Sequence, residues 1–283
     1  MKSMLSLDVT SEVDVFRTSN PAIQANRIYG GQLLAQSLEA AHRTVDDERP
    51  VHSMHGYFLR MGKVDVPIDF RVERLTDGRT LAHRRVEAVQ ESRTLFTSTF
   101  SFHSLEPGIA HQADMPAVPP PDTWVDAKTA MPGPMRSVEW EVRPVLGDGT
   151  DLPQGAQERG RRAVWMRFTG EVRDDPAFHQ AMALFISDST LFVSALSVHG
   201  MNGAVLAMPG TLVTSIDHSF WWHAPGRIDE WMLLVSESPQ ADNGRGFIHV
   251  SVYRQDGTLV ASGAQELLIR IPGIGPESAA DAD

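Results

Sequence analysis

Two stretches of this chain repeat one another in the same order, and that duplication constrains the fold more than any other feature. VHSMHGYF (51–58) matches VTSIDHSF (213–220), with Val, Ser, an apolar residue and Phe in register. Further on, DGRTLAHRRVEAVQESRTLFTS (77–98) parallels NGRGFIHVSVYRQDGTLVAS (243–262), each with a Gly-Arg turn and a Thr-Leu strand start. Self-similarity running in order over most of two halves means one supersecondary unit made twice. At 283 residues each half is long enough to bury a core of its own.

The content of the unit follows from periodicity. Residues 4–16 read as an edge strand. Gly30-Gly31 then opens a helix whose Leu33, Leu34, Leu38 and Ala41 share a face. After the polar break at 46–50 the period turns strand-like. VHSMHGYFLRMG (51–62), IDFRVERL (68–75), LAHRRVEAVQ (81–90) and TLFTSTFSFH (94–103) are separated by turn signals at 76–79 and 91–93. One helix followed by an antiparallel meander predicts an α+β layer in which the sheet wraps the helix. Strand patterns resume at 137–145 and 162–172 with a loop, GDGTDLPQG, between them, and Asp174-Asp175-Pro176 carries the start signals of a second helix. The expected organisation is an N-terminal unit (1–105), a Pro-rich linker over the surface (106–136), a C-terminal unit (137–271) and a polar, disordered tail (272–283).

The second helix carries the anomaly. In HQAMALFISDSTLFVSALSV (179–198), read as one helix, Asp188 has Leu184 and Phe185 a turn before it and Leu191 and Phe192 a turn after, on its own face. A carboxylate in an apolar stripe is costly to bury unless partners hydrogen-bond it or hold its proton. If Tyr29 is matched with His179, the first helix has Leu38 where the second has Asp188. Only one of two like scaffolds then departs from the packing rule.

Composition narrows the chemistry. A formal charge of −11 argues against non-specific binding to nucleic acid or to an anionic membrane surface. With no cysteine there is no disulfide, thiolate nucleophile or Cys-ligated zinc, which fits a reducing cytoplasm. The N-terminal MKSMLSLDVTSEVDVF is interrupted by Asp8, Glu12 and Asp14 and does not read as a signal peptide, and no window reads as a membrane span. The chain is expected to be soluble and cytoplasmic. There is no G-x-S-x-G elbow, H-E-x-x-H zinc pair, P-loop or G-x-G-x-x-G motif. No metal and no cofactor are expected.

YGGQLLAQSL, VHSMHGYFLRMG, DGRTLAHRRVEAVQ, FISDSTLF, SIDHSFWWH and RGFIHVSVYRQDGTLVASGAQE, taken in order, resemble the acyl-CoA thioesterase II family over about residues 29–270. The resemblance implies a double hotdog: two long helices, each wrapped by an antiparallel sheet, with the sheets joined into one continuous surface. It also implies hydrolysis of medium- or long-chain fatty acyl-CoA to free acid and CoA by a water that an Asp, a Thr or Ser and a Gln position together. Those three map onto Asp188, Ser215 and Gln265. The backbone N–H of Gly31, with Gly30 beside it, is the expected oxyanion donor at the positive end of the first helix. That gives one working site per chain, from the first half's Gly31 and the second half's Asp188. His52 and His55 are competing bases that read better as packing residues, with His52 retained as a substrate-binding candidate. Trp221-Trp222 reads as core or interface. Arg60, Arg79 and Arg245 are candidates for the phosphates of CoA, with solvated surface as the plainer reading. Acyl-CoA is the expected partner, and the exposed sheet edges of such a fold favour a homodimer or tetramer. The alternative is a non-catalytic acyl-CoA binder or scaffold with the same fold. The Asp188, Ser215 and Gln265 set argues against it, since a pure binder has no use for a carboxylate on an apolar face.

Overall fold

The computed structural model describes residues 5–18, 27–46, 49–124, 139–146, 160–189 and 191–274. The expected loop at 147–155 and most of the expected tail lie outside the described residues, as do residues 125–136 of the Pro-rich stretch.

Alternation of apolar and polar residues builds the strands, in chain order β1 (Asp8–Val9), β2 (Val15–Thr18), β3 (Val51–Phe58), β4 (Ile68–Asp77), β5 (Leu81–Gln90), β6 (Arg93–His103), β7 (Trp140–Leu146), β8 (Arg162–Phe168), β9 (Leu212–Ser215), β10 (Asp217–Trp222), β11 (Met232–Asp242), β12 (Arg245–Arg254) and β13 (Leu259–Arg270). They form one sheet in the order β1-β2-β4-β5-β6-β3-β10-β13-β12-β11-β8-β7, with β9 pairing β13 off that path. Read outward from the β3–β10 seam, each half runs a short strand, then the last, middle and first strands of a meander, then two more. The duplication in the sequence is therefore a duplication in the sheet. The repeated segments fall on β3 and on β9–β10, and the Gly-Arg turns fall at β4–β5 and β11–β12. The seam itself is antiparallel, from Tyr57 opposite Asp217 to Ser53 opposite Trp221.

Helix α1 (Gly30–His42) is buried on every side from Gly31 to Ala41, as a helix enclosed by sheet must be. Helix α2 (Pro176–Ser187) starts where the sequence signals it, with Pro176 first and the Asp175 side chain accepting the Ala177 N–H at 3.0 Å. The two helices run 13 and 12 residues. They pack antiparallel: the Tyr29 hydroxyl before α1 donates to the Phe185 carbonyl near the end of α2, and Arg173 before α2 reaches Glu39 near the end of α1. Both lie in one core with the inward faces of the sheet (Phe70, Phe96, Phe100, Phe220 and Ile248 among them).

The opposite face is covered unevenly. Alternate residues of β8 point away from the helices, and Ala163 and Trp165 join Leu233, Val235 and Tyr253 in a second cluster. The described part of the Pro-rich stretch crosses this cluster, with Met115, Val118 and Trp124 on it and the Pro119 carbonyl accepting from the Trp165 indole.

Several expectations need correction. The run 179–198 is not one helix. Helix α2 ends at Ser187, Asp188 caps it, and a separate short helix α3 (Phe192–Ser197) follows. The helix ends also correct the match of Leu38 to Asp188, because the residue capping α1 as Asp188 caps α2 is Arg43. Strand β3 stops at Phe58 rather than 62, where the Leu59 and Arg60 N–H groups both turn to the Leu95 carbonyl. Strand β8 stops at Phe168 rather than 172, where Thr169 N–H turns to the Glu139 carbonyl. Finally, residues 176–197 taken as one run are apolar and long enough to cross a membrane by composition, although 71% of that window is buried inside this fold.

Candidate active site

The end of α2 is where the apolar stripe breaks. At Asp188 the backbone stays near helical (φ −82°, ψ −5°), and the Ser189 N–H reaches back to the Ile186 carbonyl, tightening the last turn. This delivers the Asp188 carboxylate to the inner face of the sheet beside β9 and β13. There Oδ1 accepts two hydrogen bonds, from Ser215 Oγ at 2.9 Å and from Gln265 Nε2 at 2.8 Å. Gln265 Nε2 also lies 2.6 Å from Ser215 Oγ, which closes the triangle. The three residues named from the sequence thus meet through their side chains.

How Ser215 comes to face inward is a matter of sheet irregularity. Ser215 opposes Leu267 and Ser219 opposes Ala264, so the pairing along β13 slips by one residue between β9 and β10. The slip occurs at Ile216, whose N–H bonds the Glu266 carbonyl while Asp217 Oδ1 accepts the Glu266 N–H. Strict alternation would put Ser215 and His218, three residues apart, on opposite faces. The bulge turns both toward Gln265, as bulges beside active sites commonly do.

The start of α1 supplies the other wall. Gln32 and Leu33 N–H groups both turn back to the Tyr29 carbonyl. The Gly31 N–H is directed at Asp188, whose charged form it favours. Gly30 lies so close that a Cβ there would stand 2.6 Å from Asp188 Oδ2 and 3.2 Å from the Phe58 ring. Gly31 is equally confined, between the Phe185 carbonyl and the Tyr29 ring. Close approach of backbone to a functional group, and not merely a tight turn, is what this Gly pair provides.

Burial dominates the electrostatics. It pushes the Asp188 carboxyl above the ordinary carboxylate range, against the opposing hydrogen bonds from Gln265, Ser215 and the Gly31 N–H. By surface area Asp188 is half-buried. Burial also raises the Tyr29 phenol well above its usual value, with the Asp188 charge adding to it.

Two residues at the site had gone unnoticed in the sequence. His218 is fully buried, with Nδ1 2.7 Å from Gln265 Oε1 and Nε2 3.0 Å from Ser187 Oγ. Its signal was available, since it occupies an inward position in the alternation His218, Phe220, Trp222, where an imidazole is out of place. Phe58, the last residue of β3, was hidden because nothing local announces a contact with α1.

Other candidates lie elsewhere. His52 Nε2 bonds Ser101 Oγ at 2.7 Å, and Ser101 Oγ lies 3.1 Å from His83 Nε2, on the face turned away from α1. Burial, then His103 and His83, lower the His52 pKa. His52 is not brought to Asp188. His55 pairs with Ser219 and stands edge-on to Trp221 on that same outer face, while Trp222 is in the core against Phe220. Arg245 pairs with Glu266, and Arg60 bonds the Thr94 carbonyl. Among the described residues no group of three or more His, Asp or Glu side chains gathers as metal ligands would.

Residues 18–103 match the family model of the acyl-CoA thioesterase N-terminal domain, and residues 112–269 that of the C-terminal domain. Human acyl-coenzyme A thioesterase 8 is 34% identical over 289 residues, spanning 95% of this chain and 88% of that protein. The solved acyl-CoA thioesterase II of Mycobacterium marinum superposes with a TM-score of 0.80 at 38% identity, over 95% of this chain and 98% of that one. A hot dog fold protein of Alicyclobacillus acidocaldarius superposes at 0.75 over 96% and 98%, with 21% identity, a likeness of fold alone.

Proposed function

The chain belongs to the acyl-CoA thioesterase family and is a thioester hydrolase, and we propose that it cleaves fatty acyl-CoA with one water held by Asp188, Ser215 and Gln265. The observation that carries this is the division of labour on the carboxylate. Two donors fasten Asp188 Oδ1, while Oδ2 faces the glycines that open α1. A fixed carboxylate with one oxygen directed at a helix N-terminus is a base beside an oxyanion hole.

In the reaction, water seated on Oδ2 attacks the thioester carbonyl and gives its proton to Asp188. The carbonyl oxygen, now anionic, lies against the Gly31 N–H. The C–S bond then breaks, and the proton on Asp188 passes to the departing sulfur, giving free acid and CoA. A base whose pKa is raised by burial holds the water's proton better than an exposed Asp does. The acyl chain is read as a medium- or long-chain fatty group, supported by the resemblance to the acyl-CoA thioesterase II family. A homodimer or tetramer is the assembly proposed, supported by the two strands, β1 and β7, that end the sheet.

Replacing Asp188 by Asn tests the reading. A general base contributes about 10²–10⁴-fold, so the release of thiol from a medium-chain acyl-CoA should fall by at least about 10²-fold with ligand affinity kept. A variant retaining more than a tenth of the wild-type rate overturns the assignment. Because burial raises the Asp188 pKa, the rate of the wild type should decline on the acid side at a pH above the ordinary carboxylate value of about 3.9. Protonation removes the base, so activity is lost as pH falls through that pKa and restored above it.

A further inference from the structure

We propose that His218 is a positioning residue that fixes the orientation of the Gln265 amide and thereby the donors that hold Asp188 and Ser215. The inference rests on the reading of Asp188, Ser215 and Gln265 given above, and it follows from counting hydrogens. Gln265 Nε2 has two hydrogens and two neighbours that need them, Asp188 Oδ1 at 2.8 Å and Ser215 Oγ at 2.6 Å. The Ser215 hydroxyl gives its own hydrogen to Asp188 Oδ1 at 2.9 Å. Every donor on this side is committed, and the amide oxygen is left pointing the other way.

The two ends of a carboxamide have nearly the same shape, so packing alone does not choose between them. A flipped Gln265 would set Oε1 against the Asp188 carboxylate and leave Ser215 Oγ without its donor. The group at the far end adds a second preference against the flip. His218 Nδ1 is 2.7 Å from Gln265 Oε1, and a hydrogen on Nδ1 makes that contact a hydrogen bond in one amide orientation only.

Gln265 Oε1 can only accept, so Nδ1 carries a hydrogen, while at the other end of the ring Nε2 lies 3.0 Å from Ser187 Oγ. On a neutral ring that leaves Nε2 an acceptor, and the single Ser187 hydroxyl hydrogen is shared between it and the Leu184 carbonyl, 2.8 Å from Ser187 Oγ. Burial of the ring keeps it neutral, which agrees with a single N–H. Ser187 is the residue before Asp188, so the relay begins and ends on the same turn of α2: Ser187, His218, Gln265, Asp188. Its middle members lie on β10 and β13, and the bulge at Ile216 is what lets Ser215 and His218 share the inner face.

The test compares three substitutions in the full chain. Asn places a side-chain N–H where imidazole Nδ1 stands, Gln places one nearer Nε2, and Leu places none. His218→Leu and His218→Gln should each lose about 10²-fold in kcat, the usual cost of misplacing catalytic groups, with KM within about twofold. His218→Asn should recover kcat to within about tenfold of wild type. Gln265→Ala, measured beside them, separates the two readings. If it keeps the wild-type rate, the proposed role of Gln265 fails and this inference with it. If Gln265→Ala is slow while His218→Leu is not, His218 alone is misassigned. Equal rates in the Asn and Gln variants, both folded by thermal denaturation, also overturn the inference, because a merely structural imidazole gives no reason to prefer the Nδ1-like donor.

Discussion

Neighbouring glycines can serve different ends, and Gly30 and Gly31 separate the needs of the chemistry from those of the fold. A methyl at Gly30 meets the far oxygen of Asp188 at 2.6 Å and the Phe58 ring at 3.2 Å, both side-chain atoms able to move. Ala is also the better helix former, by about 1 kcal/mol. Gly30→Ala should therefore leave the melting temperature nearly unchanged while displacing the carboxylate from the proposed water site, at a cost of about 10²-fold in kcat. A methyl at Gly31 meets the Phe185 carbonyl, which is backbone inside α2, and the Tyr29 ring that bonds that same carbonyl. The clash has no flexible partner to absorb it, so Gly31→Ala should destabilise by about 1–3 kcal/mol. Thermal denaturation and thiol release on the two variants give the pattern: one folded and slow, the other loosened. A Gly30→Ala variant as fast as wild type would mean that Asp188 Oδ2 does not face the reacting water.

At the scale of the element, α2 is a rod with a structural end and a chemical end. Asp175 caps the first turn by accepting the Ala177 N–H, and losing such a cap costs about 1 kcal/mol. Asp188 lies at the other end of the 12-residue helix, about 18 Å away at 1.5 Å per residue. Asp175→Ala should lower the melting temperature by a few degrees and leave kcat within twofold; a large fall in kcat would mean that fraying at the start of α2 reaches the carboxylate. The start of this helix was legible in the sequence because Asp-Asp-Pro is a local signal. Its end was not. Apolar residues continue past Asp188 at helical spacing, and the partners that hold Asp188 where the helix ends, Ser215 and Gln265, come from distant strands. The same contrast holds for strands. Alternation and turn signals marked β4, β5 and β6 closely, whereas the slip at Ile216 exists only relative to β13, and with it the inward aim of Ser215. Its role therefore reached the sequence reading through family resemblance and not through spacing. His218 was missed for a related reason: its meaning lies in Gln265, 47 residues on.

The whole molecule is two copies of one unit, yet its two helix junctions are chemically unlike. Where α1 begins and α2 ends, a carboxylate faces bare glycine backbone. Where α2 begins and α1 ends, the corresponding cap is Arg43, and Glu39 is held between Arg43 at 3.0 Å and Arg173 at 3.5 Å. A carboxylate so paired with two guanidinium groups is occupied as an ion-pair partner and is a poor base. The residues of the active junction also come from both copies, with Gly30, Gly31 and Phe58 from the first and Asp188, Ser215 and Gln265 from the second. On the mechanism proposed above, one junction of the two is competent, and the β3–β10 seam is what holds its parts together. Calorimetric titration of the Asp188→Asn chain with a non-hydrolysable thioether analogue of acyl-CoA should return one ligand per chain. Asn retains an acceptor for Ser215 and Gln265 and removes turnover, so the count reports geometry and not consumption. Two ligands per chain would mean that the Glu39 junction also accepts the thioester, and the asymmetry would then lie in catalysis alone. Half a ligand per chain would require that a site be shared between copies, which the closure of the Asp188 junction within a single chain argues against.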